Sequence, residues 1–129
     1  MEVLTNKKAE SLSSSLKKLE NLLDLCLDFG ISQRIENEAL VKIAQILKSL
    51  PNLASVELGL QQKQIANVNN QGELYKMLIG VFKERKNIRQ VTLHLNSLKF
   101  LVQEINNLEK SKDVKAIWKH YLNGRNPNS

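Results

Sequence analysis

The chain has 129 residues, 42% of them hydrophobic, which is enough for one domain with a modest aliphatic core and argues against wholesale disorder. No apolar run approaches the roughly 18 residues needed to span a bilayer, no secretory signal is visible, and a single cysteine, Cys26, excludes a disulfide framework or a cysteine cluster for zinc. The net charge is +6, but residues 1–109 hold fourteen basic against twelve acidic side chains, whereas residues 110–129 hold five basic and one acidic. Most of the excess is therefore in the C-terminal tail, where it attracts nucleic acid, anionic membrane or an acidic protein surface without choosing among them.

In chain order, residues 1–20 contain Leu12, Leu16 and Leu19 and predict a helical N-terminal cap. They are rich in Ser and Lys, as organelle transit peptides are, yet Glu2 and Glu10 count against that reading. A strand is expected near residues 23–28. The alternative is one long helix over residues 10–27, since Leu12, Leu16, Leu19, Leu22, Leu23 and Cys26 also fit a helical face. Glu38 to Leu50 is amphipathic, with Ala39, Leu40, Ile43, Ile46, Leu47 and Leu50 on one face, and Pro51 ends it.

A second strand is expected near 54–59, followed by a polar loop from Gln61 to Gly72. Glu73 to Arg85 repeats the helical pattern with Leu74, Met77, Leu78, Val81 and Phe82. A third strand is expected near 89–95. Ser97 is placed to cap the helix Ser97–Lys110, and Asp113 to Leu122 predicts a tail helix with the apolar stripe Val114, Ile117, Trp118, Tyr121 and Leu122. Residues 123–129 are expected to fray.

The three strand segments share one frame. Asn21, Asn52 and Asn87 each begin a nine-residue pattern of Asn, apolar, two variable, apolar, one variable, Leu, one variable, apolar, with starts 31 and then 35 residues apart. The second and third copies carry the β-favouring residues Val56, Ile88, Val91 and Thr92, which supports the strand reading for all three. Strands joined by helices are expected to be parallel with right-handed crossovers.

With its Leu22-x-x-Leu25-x-Leu27, Leu53-x-x-Val56-x-Leu58 and Ile88-x-x-Val91-x-Leu93 segments, the chain resembles a leucine-rich repeat protein of the ribonuclease-inhibitor-like class over roughly residues 12–109. The family's closing Asn is present only as Asn96; Gly30 and Gln61 occupy the other two places, and the repeats are longer than the usual 20–29 residues. The resemblance implies an α/β fold: a short solenoid of three irregular units over residues 21–109, with a small parallel sheet on its concave side and helices on the other. A basic C-terminal capping helix and frayed tail over residues 110–129 complete the expected single domain.

In such a stack the motif positions point inward and the alternating residues outward. The outward columns are Asp24, Ser55 and Gln90; Cys26, Glu57 and Thr92; and Asp28, Gly59 and His94. This face is expected to be mildly acidic, with no Lys or Arg, opposite a basic outer surface. Its candidate protein-binding residues are Asp24, Asp28, Ser55, Glu57, Gln90, Thr92 and His94. Candidate contacts for nucleic acid or an acidic partner are Lys83, Arg85, Lys86, Arg89, Lys112, Lys115, Lys119 and Arg125.

Catalytic chemistry is not expected. An open sheet gives the three carboxylates little desolvation, Cys26 has no activating base in sequence, and there is no phosphate-binding glycine loop. Two His and one Cys do not suggest a metal, so neither cofactor nor metal is expected. The sequence thus points to a non-enzymatic protein-interaction module or an accessory subunit of a larger complex, without a small-molecule substrate. The alternative is an RNA- or DNA-associated protein using the basic C-terminal helix, and a third reading is an irregular all-helical bundle. An intracellular location, cytoplasmic or nuclear, is expected, with organelle import left open.

Overall fold

A computed structural model describes residues 3–65 and 68–119. The protein is mixed α/β, with four helices, two parallel sheets and no closed barrel among the described residues. In order, the elements are β1 (Val3–Leu4), α1 (Asn6–Leu16), β2 (Asp24–Ser32), β3 (Arg34–Ile35), α2 (Asn37–Ser49), β4 (Ser55–Gln62), α3 (Val68–Glu84), β5 (Gln90–Asn96), α4 (Lys99–Glu109) and β6 (Asp113–Lys119). β1 and β3 form a two-stranded sheet; β2, β4, β5 and β6 form a four-stranded sheet whose spatial order is its sequence order. The helices follow the same order, α1 packing on α2, α2 on α3 and α3 on α4.

One aliphatic core lies between the helices and one face of the larger sheet. Leu25 and Leu27, Val56 and Leu58, and Val91, Leu93 and Leu95 are buried there against Leu40, Ile43, Leu47, Leu78, Phe82, Leu101 and Ile105. The alternation of buried and exposed residues along β2 follows from side chains pointing to opposite faces. Residues 10–27 are not one helix: α1 ends at Leu16 and β2 begins at Asp24.

The recurring Asn that opens each motif has a mechanical role. Asn52 Nδ2 donates to the Glu20 carbonyl at 3.0 Å, and Asn87 Nδ2 donates to the Pro51 carbonyl at 3.2 Å. Each acceptor directly precedes the Asn of the previous copy, so the second and third turns are each hung on the one before. Backbone bonds parallel these hooks: Ala54 N–H to Leu23 O at 2.8 Å, Arg89 N–H to Ala54 O at 2.8 Å and Asp113 N–H to Arg89 O at 3.0 Å.

The tail departs from expectation. Residues 113–119 are not a capping helix but a fourth strand, paired in parallel with the whole of β5 from Gln90↔Asp113 to Asn96↔Lys119. A ten-residue stripe fits both periods, and Val114, Ile117 and Trp118 favour a pleated surface. The free edge of β5 supplies the missing hydrogen-bond partners. The strand sets Val114, Ala116 and Trp118 against the core. His120, Tyr121, Leu122 and Arg125 lie outside the described residues.

Three smaller differences lie elsewhere in the chain. α4 starts at Lys99 with Leu98 as its N-cap and no side-chain cap bond, so Ser97 stands one residue too early to cap it. The polar loop after β4 is shorter than expected, because β4 continues to Gln62 and α3 begins at Val68. The two-residue strands β1 and β3 carried no sequence signal long enough to read.

Candidate functional site on the open sheet face

Two rows of polar side chains cross the larger sheet. The first is buried. Asn96 Oδ1 accepts from the Gln62 N–H at 2.8 Å, and Asn96 Nδ2 donates to the Gln62 carbonyl at 2.8 Å, so one amide side chain extends the ladder where β5 ends. Gln62 Oε1 in turn accepts from the Ile35 N–H at 2.8 Å, while Gln71 Nε2 donates to the Ile35 carbonyl at 2.7 Å. Gln62 Nε2 donates to Gln71 Oε1 at 3.1 Å and to Tyr75 Oη at 2.6 Å, and the Tyr75 hydroxyl donates to the Leu60 carbonyl at 3.1 Å. Burial pushes the Tyr75 pKa well up, only partly offset by the Gln62 bond. Buried side-chain amides thus extend the hydrogen bonding at Asn96 and, one residue beyond Gln61, at Gln62.

The second row faces outward. The parallel register aligns Asp24↔Ser55↔Gln90, Cys26↔Glu57↔Thr92 and Asp28↔Gly59↔His94, the three columns read from the sequence. Asp24, Cys26, Asp28 and Gln90 are exposed, and Ser55, Glu57, Thr92 and His94 are half-buried. β6 extends the columns with Asp113, Lys115 and Ile117. The face therefore does carry a lysine, because the unforeseen fourth strand brings Lys115 onto it.

Sequence separation hides the tightest grouping. His94 Nε2 lies 3.0 Å from Glu57 Oε2, and ligand atoms of Asp28, Glu57 and His94 all lie within 4.8 Å of one another. Their partner is Gly59. Its neighbour in the register is Asp28, whose carboxylate occupies the space a Cβ at position 59 would need. At Gly30, by contrast, the backbone itself demands glycine: φ is +64°, and its N–H donates to Asp28 Oδ1 at 2.9 Å within a bulge that shifts the register between Asp28 and Ile31.

The basic cluster is partly structural. Arg85 donates to the carbonyls of Leu47 at 2.9 Å, Lys48 at 2.8 Å and Leu50 at 2.5 Å, closing the C-terminus of α2. Lys112 Nζ donates to the Arg85 carbonyl at 2.9 Å and to the Ile88 carbonyl, repeating that role one unit later. Desolvation, with the charge of Arg89 adding to it, holds the Lys112 ammonium below the usual lysine range. Lys83, Lys86 and Arg89 are exposed, Lys115 points from the sheet face, and Lys119 is a strand residue rather than a helical one.

Among the described residues, no helix is long and apolar enough to cross a membrane. Comparison with protein-family models, with curated proteins and with solved structures returned no match.

Proposed function

We propose that the chain is a short repeat module of the leucine-rich kind, non-enzymatic, that recognises a protein partner through the outward face of its larger sheet. The observation that carries this reading is the in-register array of Asp24, Glu57, Gln90, Thr92 and His94 across three parallel strands. Their backbones are held by the ladder and the Asn hooks, so a partner meets a preorganised surface with little ordering cost. The exposed carboxylates suit a partner surface with positive charge. The nucleic-acid alternative loses the basic helix on which it was founded, and two of its cations, Arg85 and Lys112, are engaged with backbone carbonyls.

The test is affinity capture from the native source, with nuclease treatment in one arm. The variant D24K/E57K/T92K is expected to lose the protein set that the unaltered chain retains, and K110Q/K115Q, which removes two exposed cations without removing β6, would test the tail separately. Full retention by the face variant would overturn the proposal. Loss of every partner on nuclease treatment would favour nucleic acid.

A further inference from the structure

We propose that Asp28, Glu57 and His94 form a binding site for a divalent transition-metal ion of the zinc type. Each comes from a different strand, β2, β4 and β5, and their ligand atoms already lie within 4.8 Å of one another. A zinc ion bonded at about 2.1 Å sets its ligands at most about 4.2 Å apart, so small rotations of side chains on an open face close the set. This is not a patch of acids alone. An imidazole beside two carboxylates is a borderline ligand set, and the imidazole favours zinc or cobalt over calcium and magnesium.

The second observation is Gly59. Glycine weakens a strand interior and often marks a place where another group approaches closely. Among the described residues only Gly30 has a glycine-requiring positive φ, so Gly59 is not there for backbone conformation. What it provides is room: the Asp28 carboxylate lies over it, between β2 and β5, directed toward the side where His94 stands in the same column. One Asp28 oxygen accepts the Gly30 N–H, which orients the carboxylate as outer-shell bonds orient metal ligands. Three protein ligands leave at least one coordination position to water or an incoming group.

The site lies on the same face as the protein-docking proposal and shares Glu57 and His94 with it, but it does not depend on that proposal, because its test uses no partner. The full-length chain is titrated with zinc chloride by calorimetry, and with cobalt(II) while the imidazole resonances are followed by NMR. The expected result is one saturable zinc site at micromolar metal, unaffected by millimolar calcium, with cobalt broadening the His94 resonances. H94Q and D28N are expected to lower the affinity by ~10-fold or more, with unchanged circular dichroism. C26S and H120Q, which remove the other nitrogen and sulfur ligands, are expected to leave it intact. The absence of saturable zinc binding, or zinc binding that survives H94Q and D28N or vanishes with C26S, would overturn the proposal. The cobalt experiment on the unaltered chain decides the matter even if a variant fails to fold, since His94 resonances untouched by cobalt would refute it.

Discussion

The buried polar row of Asn96, Gln62, Gln71 and Tyr75 and the open row of Asp28, Glu57 and His94 both draw on β4 and β5, yet they are built on opposite terms. In the buried row the amide side chains bond each other, the Tyr75 hydroxyl or the backbone. In the open row one ion pair and one Asx-type bond leave much of the acceptor capacity facing solvent. A polar group removed from water must find its partners within the chain, whereas an exposed one remains able to take a ligand. The buried amides therefore belong to folding, and the exposed cluster is where binding is sought.

The largest expected effect breaks the buried row. Asn96→Ala strands the N–H and C=O of Gln62, and Gln62→Ala strands the Ile35 N–H together with two side-chain partners. Each is expected to destabilise the fold by about 3 kcal/mol, since an unpaired buried group costs roughly 1–3 kcal/mol. Urea unfolding monitored by circular dichroism checks this.

Arg85→Ala comes next. It frees three carbonyls at the end of α2, partly exposed to water, so a loss of about 1–2 kcal/mol is expected in the same assay. If Arg85 were instead a phosphate contact, its removal would leave stability unchanged.

Tyr75→Phe sharpens the comparison through pH. The folded state holds the neutral phenol, because burial raises its pKa above the ordinary 10.0. Stability from this group is therefore complete below pH 10 and is lost as the pH rises above it, when the unfolded chain ionises first. The variant is expected to cost about 1 kcal/mol at neutral pH and to flatten the alkaline fall. An alkaline unfolding curve identical to that of the unaltered chain would contradict the assignment.

The regularity of the strands explains what was legible in the sequence. The Asn-apolar frame repeats the residues that contact both the core and the preceding turn, so strand positions and all three outward columns followed from it. The fourth strand escaped because Lys110 and Ser111 replace the Asn and the apolar residue that open the other copies. Its Val-x-Ala-x-Trp alternation is too short to defeat a helical reading. The Asp28–Glu57–His94 grouping was hidden for a different reason. Its members were assigned to the right face, but Glu57 stands one column away from the others, and only the hollow at Gly59 draws Asp28 across. Gln62 was passed over because it sits one residue beyond Gln61, the position that matches Asn96 in the repeated frame.

The smallest expected effect on stability is also the most direct test of the division between the two rows. The urea midpoint of D24K/E57K/T92K should be compared with that of Asn96→Ala. The account predicts that the triple variant stays within about 1 kcal/mol of the unaltered protein, as exposed substitutions do, while Asn96→Ala falls well below it. A triple variant that unfolds as readily as Asn96→Ala would show that the open face helps hold the fold together, and would contradict its assignment as a binding surface.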